Sequence, residues 1–156
     1  MATVKKNNPC NLQEIDQFKR DLYSYDFLKK ELKVKYLDEI ADLNAKLEGL
    51  YKKQQENSKG GRVSARIYND KKNSLITQKD KLNKEMLDSV AYKITTMIDN
   101  VMYRLTASDK DLIRDKFIYN KTFGEIAKEL FISKSVVIDR TESILREMVK
   151  IKKSIQ

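Results

Sequence analysis

From Leu12 to about Gln55, apolar residues recur as Ile15, Phe18, Leu22, Tyr25, Leu28, Leu32, Tyr36, Ile40, Leu43, Leu47 and Leu50. Steps of three and four sustained over that length draw a single stripe along a helix. At about 1.5 Å per residue the helix would span roughly 60 Å, more than a globule of this size needs. It therefore wants a partner along its length. A second stripe supplies one: Leu75, Leu82, Met86, Val90, Ile94, Met97, Val101 and Leu105. The turn-forming cluster NSKGG at 57–61 lies between them. The stripes then pair either as an antiparallel hairpin, folded back across a basic loop at about 57–70, or with the same helices of a second copy.

The remaining sequence favours helices too. With 4 Gly and 1 Pro in 156 residues there are few places to turn, and 40% apolar content is too high for a disordered chain. The 35% of charged residues must then coat helix surfaces. The expected fold is all-α: a flexible leader at 1–11, a long coiled-coil-like helical hairpin at 12–105 that oligomerises, a compact C-terminal module at 106–151 and a mobile tail at 152–156. No apolar run approaches the roughly 18–20 residues of a membrane span, and MATVKKNNPC lacks the apolar centre of a signal peptide. The expected compartment is the cytoplasm.

Composition also removes classes of chemistry. The chain has no His and a single Cys10, so the commonest general base is missing and a structural zinc site is not expected. Cys10 has no partner for an intramolecular disulfide, which suits a reducing compartment. Asp109 and Asp111 sit together at an expected helix start, where carboxylates serve the helix dipole more often than catalysis. Gly60-Gly61 lacks the Lys-Ser/Thr that follows in a phosphate-binding loop. No catalytic residue, metal ligand or cofactor is expected, and the protein is read as a non-enzyme.

What remains is charge. The net +9 is uneven: residues 1–58 hold 11 basic and 10 acidic side chains, 59–105 hold 10 and 5, and 106–156 hold 11 and 8. In the middle segment Lys59, Arg62, Arg66, Lys71, Lys72, Lys79, Lys81 and Lys84 face only Asp70 and Asp80. Such a stretch can neutralise phosphates, and Arg62, Arg66, Lys71 and Lys72 are its candidate contacts; the plainer alternative is a solvated helix face.

The C-terminal segment is more specific. Ser108 is placed to cap a helix through Leu112, Ile113 and Phe117. Thr122 and Glu125 form a capping box for a short helix with Ile126, Ala127 and Leu130 on its apolar face. Phe131-Ile132 makes a turn, and Ser133 caps a third helix whose Val137, Ile144, Leu145 and Met148 point inward. This is the spacing of a helix-turn-helix, whose second helix enters the major groove of DNA, although plain helical bundles produce similar patterns.

The run LTASDKDLIRDKFIYNKTFGEIAKELFISKSVVIDRTESILREM, residues 105–148, resembles the DNA-binding region four of bacterial sigma factors. A leucine and a short acidic cap precede one helix, Thr-x-x-Glu-Ile-Ala opens the next, and a serine begins the recognition helix. With a long helical hairpin before it, the chain resembles the small late-transcription regulators of phages and prophages of Gram-positive bacteria, the ArpU and RinA type. That resemblance implies a sequence-specific binder of duplex DNA, an activator of late or packaging genes, acting as a homodimer or higher oligomer in the bacterial host. On it, Ser133, Lys134, Ser135, Val136, Ile138 and Asp139 form the reading edge. Lys134 would take a guanine edge or phosphate, Ser135 a base or phosphate oxygen, Val136 or Ile138 a thymine methyl, and Asp139 a cytosine amino group. Lys121, Thr122 and Lys128 would position the backbone.

The sequence departs from this pattern in places. Phe131 stands where the turn often has Gly, so the backbone there is expected to avoid the left-handed conformation or be strained. Ser135 and Asp139 replace the usual basic residues, and Arg140 replaces a usually buried apolar one. Two rivals follow: an interaction protein that holds RNA polymerase or another regulator, suggested by Asp139 and Glu142, and a phage DNA-packaging subunit of the small-terminase kind.

Overall fold

The computed structural model describes residues 11–56 and 62–156, with backbone alone at 62–64, and every regular element among them is helical. Helix α1 (Leu12–Leu32) runs through a π-helical turn (Lys33–Leu37) into α2 (Asp38–Glu56). Then come α3 (Arg62–Asp88), α4 (Val90–Tyr103), α5 (Ala107–Ile113) with a second π-helical turn (Arg114–Ile118), α6 (Phe123–Leu130) and α7 (Lys134–Ile155). Among the described residues, no helix is long and apolar enough to cross a membrane. Residues 1–10 of the leader expected at 1–11, Cys10 among them, and the turn cluster at 57–61 lie outside the described residues, whereas Asn11 caps α1, its Oδ1 accepting from the Glu14 amide at 2.8 Å.

The chain divides into two compact units, one of residues 28–93 and one in which the start of the chain to Phe27 joins 94–156. In the 28–93 unit, α3 folds back antiparallel on α2, so the first stripe finds its partner within the same chain. Leu32, Ile40, Leu43 and Leu47 are buried in that seam, against half-buried Leu75, Leu82 and Met86. Leu28, Leu32, Tyr36 and Ile40 follow one another in steps of four, slightly more than one α-helical turn, and would drift around the helix. The wider π-helical turn at Lys33–Leu37 absorbs the drift and keeps the stripe on one side. The basic loop expected at 57–70 is shorter than expected. Helix α3 starts at Arg62, because RVSARIYND contains no residue that stops a helix once Gly61 is passed.

Ser89 interrupts the second stripe. Its hydroxyl donates to the Met86 carbonyl at 2.6 Å and accepts from the Tyr92 amide at 3.2 Å, ending α3 and capping α4 in one residue. The helical phase resets there. Val90, expected on the seam, is 69% exposed, whereas Ala91, Thr95, Ile98, Val101, Met102 and Leu105 turn inward.

The other unit has one continuous core. Phe18 and Leu22 of α1 meet Ile98, Val101 and Met102 of α4, and both meet Leu112, Ile113, Phe117, Ile126, Ala127, Val137, Ile144, Leu145, Met148 and Val149. At about 1.5–3 kcal/mol for each fully buried large side chain, this shared core is the chief stabilising feature of the unit. Tyr23 packs edge-on against Phe117 with ring centroids 4.9 Å apart. The compact module expected over 106–151 shares its interior with α1 and α4. The expected tail at 152–156 is also mostly helix: α7 continues to Ile155, Lys152 and Lys153 suit the negative end of its dipole, and the Lys153 ammonium lies 2.7 Å from a Glu14 carboxylate oxygen on α1.

A titratable contact lies in the same unit. The Tyr25 hydroxyl donates to Asp99 Oδ1, joining α1 to α4. Burial, and after it the bond to Asp99, pushes the tyrosine pKa well above its ordinary 10.0. Because the folded pKa is raised, this contribution to stability is complete below pH 10 and is lost as pH rises from there toward the folded value. Urea midpoints measured from pH 8 to 11 should fall more steeply for the wild type than for Tyr25→Phe, and parallel curves would refute the link.

Candidate nucleic-acid interface

Three short-range devices build the helix-turn-helix. Helix α5 is capped by Thr106, not Ser108: Thr106 is extended (φ −65°, ψ 157°) and its hydroxyl accepts from the Asp109 amide at 3.3 Å. Thr106 has the same spacing to Asp109 as Thr122 has to Glu125, a signal the sequence carried two residues before the expected cap. Thr122 caps α6, accepting from the Glu125 amide at 3.1 Å. Ser133 caps α7, accepting from the Val136 amide at 3.3 Å. Each such cap contributes about 1 kcal/mol. The hydroxyls of Thr122 and Ser133, expected at DNA, are thus already engaged in holding helix starts.

Between α6 and α7 the Ile132 amide donates to the Ala127 carbonyl at 3.1 Å and the Phe131 amide to the Lys128 carbonyl at 3.4 Å. This paired closure requires a left-handed residue immediately after the helix, and Phe131 adopts that conformation at φ 56°, ψ 39°. Of the two expected outcomes, avoidance or strain, the second is found: Phe131 takes the left-handed conformation, and the abrupt stop leaves room for Ile132 to pack on the core and for Ser133 to begin α7. Leu130, expected on the apolar face, is 46% exposed at this stop, and buried Ile126 and Ala127, with half-buried Phe123, make the core-facing side of α6.

Helix α7 buries Val137, Thr141, Ile144, Leu145, Met148 and Val149. The buried position next to Arg140 is Thr141, whose hydroxyl donates to the Val137 carbonyl at 2.8 Å. Arg140 faces outward, 3.8 Å from Asp109 on α5. Lys134, Ser135, Val136 and Asp139 are exposed along the first turns, with the Ser133 and Ser135 hydroxyls 3.2 Å apart. Ile138 is half-buried and offers less surface than expected.

The expected backbone contacts separate into two kinds. Lys128 is exposed on α6 and has no carboxylate partner among the described residues. Lys121 is not available in the same way: its ammonium lies 3.0 Å from Glu129 and 3.3 Å from Asp115. The hydrogen bond to Glu129, helped by Asp115, raises its pKa above the ordinary lysine value. The side chain therefore clamps the second π-helical turn to α6. Close by, Lys116 stacks over the Phe123 ring at 4.2 Å, a contact with no signal in the linear sequence.

The candidate phosphate contacts of the middle segment lie on α3 in the 28–93 unit. Arg66 and Lys71 are exposed, Lys72 sits 5.8 Å above the Tyr51 ring, and the Arg62 side chain is outside the described residues. Lys46 and Lys53 of α2, absent from the expected set, join Lys71 and Asp70 around an open groove of about 650 Å³ that Leu50 and Leu75 also line; Lys46 is itself 3.1 Å from Asp42. Among the described residues no group of three or more His, Cys, Asp or Glu gathers as a metal site. No family model, curated protein or solved structure matches the chain.

Proposed function

We propose that this chain is a sequence-specific duplex-DNA-binding transcription regulator, an activator of phage late or packaging genes of the ArpU and RinA type, reading DNA through the start of α7 in the bacterial cytoplasm. One observation carries the reading. Within the C-terminal helices, α5 and α6 open with Asp109 and Glu125, carboxylates that suit the positive end of a helix dipole, while the first turn of α7 has no acid, like those of α3 and α4, and opens on Lys134, here behind a capping Ser133. A capped, exposed helix start with a cation set against its own dipole is suited to meeting an anion from outside. Ser135 and Val136 beside it supply a hydroxyl and an apolar surface for base edges. Two copies paired through the hairpin, whose Val34, Leu37, Ile67 and Leu87 are exposed, would read neighbouring half-sites.

The test is selection of bound fragments from sheared genomic DNA at a fixed salt of about 150 mM, because phosphate-driven affinity falls steeply with salt. Wild type should enrich a promoter-proximal site with two-fold symmetry, and Lys134→Ala/Ser135→Ala should lose it. No enrichment by the wild type would overturn the reading. A second reading, a module that holds RNA polymerase or another regulator, draws on exposed Asp139 and Glu142 of the same helix. Polymerase capture from nuclease-treated extract, unchanged by Lys134→Glu, would favour it. A ring of many copies in sedimentation would instead favour a DNA-packaging subunit.

A further inference from the structure

Two non-glycine residues among those described have positive φ, Asn120 at 55° and Phe131 at 56°. Asn is enriched in that conformation because its short polar side chain tolerates it, so the first needs no special account. Phe131 differs. The closure of α6 demands a left-handed residue there, and a β-carbon bearing a bulky ring is strained in it where glycine would not be. The ring itself gains no packing there, since Phe131 is 95% exposed. A residue that strains the backbone and leaves its apolar surface in water is placed for something outside the chain.

Its neighbours define what that something is. Leu130 and Val136, on either side of the turn, are 46% and 43% exposed. Lys128 and Lys134, also exposed, lack carboxylate partners among the described residues. An occupant that complements this surface presents apolar patches beside anionic groups. The edge of duplex DNA does so, with deoxyribose and thymine methyl surface between phosphates.

We propose that Phe131 is a contact residue of the DNA interface, its ring lying on deoxyribose or thymine-methyl surface while Lys128 and Lys134 hold the phosphates on either side. This rests on the reading of α7 as the DNA-reading helix.

The full-length protein and its variants Phe131→Gly and Phe131→Tyr are compared on the enriched site and on a scrambled duplex of equal length, with melting followed in parallel. Phe131→Gly relieves the left-handed strain, so its Tm rises, by about 2–4 °C. Its affinity for the site nevertheless falls about tenfold, which is about 1.4 kcal/mol. Phe131→Tyr keeps the ring and binds as the wild type does. Higher stability with reduced affinity is a combination that a merely structural role does not produce. Wild-type affinity in Phe131→Gly would overturn the contact and leave the DNA-binding reading standing, as would loss of a captured protein partner with DNA binding intact. A wild type that binds no duplex would overturn both.

Discussion

Excised on its own, the segment from Thr106 to Gln156 will give no cooperative thermal transition and will bind ANS. It contains the whole helix-turn-helix, but its core is completed by Phe18 and Leu22 of α1 and by Ile98, Val101, Met102 and Leu105 of α4. Six large side chains at about 1.5–3 kcal/mol each amount to roughly 9–18 kcal/mol of burial removed. That is as large as the entire net stability of an ordinary domain, about 5–15 kcal/mol. The same dependence is measurable without cutting the chain: Phe18→Ala, which empties a site 1% exposed, should destabilise the unit by about 3–5 kcal/mol in urea. The sharper observation is which residues respond. Amide exchange in α6 and α7 should accelerate in Phe18→Ala, although the substitution lies more than a hundred residues away in sequence. A sharp transition and a dispersed amide spectrum from the fragment alone would refute the shared core.

This dependence marks the limit of what periodicity could reveal. The stripes showed which faces were apolar, and every residue of the first one, from Ile15 to Leu50, is buried or half-buried. They could not show that Phe18 and Leu22 face the C-terminal helices while Leu32 to Leu47 face α3, because a helix shows the same period whichever partner covers it. The phase reset at Ser89 was equally hidden: a serine inside a helical pattern reads as a surface position until its hydroxyl is seen bonded at both ends. Caps were more legible, since they depend on contacts three residues apart. Thr122 and Ser133 cap the helices where the sequence expects them, while the cap of α5 is Thr106, two residues before the expected Ser108, because both hydroxyls precede the same acidic run. The candidate site was legible for Lys134, Ser135, Val136 and Asp139, whose exposure follows from the inward phase of Val137, Ile144 and Leu145. The ion pairs of Lys121 were hidden for the opposite reason. A lysine between helices reads as a free cation, and its partners Asp115 and Glu129 are brought to it only by the fold.

Lys134→Glu should separate function from stability by sign. The residue begins α7 immediately after the Ser133 cap, where the unsatisfied amides of the first turn concentrate positive potential. A lysine there opposes the dipole, and a glutamate would favour it by about 0.3–1 kcal/mol. The variant should therefore unfold at an equal or slightly higher urea concentration than the wild type. If α7 reads DNA as proposed, the affinity for a duplex should move the other way. Removing one phosphate-facing cation weakens binding and lowers the slope of log affinity against log salt by about 1. Adding an anion against the phosphates should extend the loss to about a hundredfold at low salt, and the deficit should shrink as salt rises and screens the repulsion. Lys128→Glu, on α6, would lower the slope similarly while reducing affinity for specific and scrambled duplexes alike, because a phosphate contact carries no sequence information. Lys134→Glu should cost more on the specific site than on the scrambled one if its ammonium also reaches a base edge. Equal losses on both would reduce Lys134 to a phosphate contact and leave sequence reading to Ser135 and Val136. An unchanged salt slope would remove Lys134 from the interface altogether, leaving the opposition to its own helix dipole without a purpose.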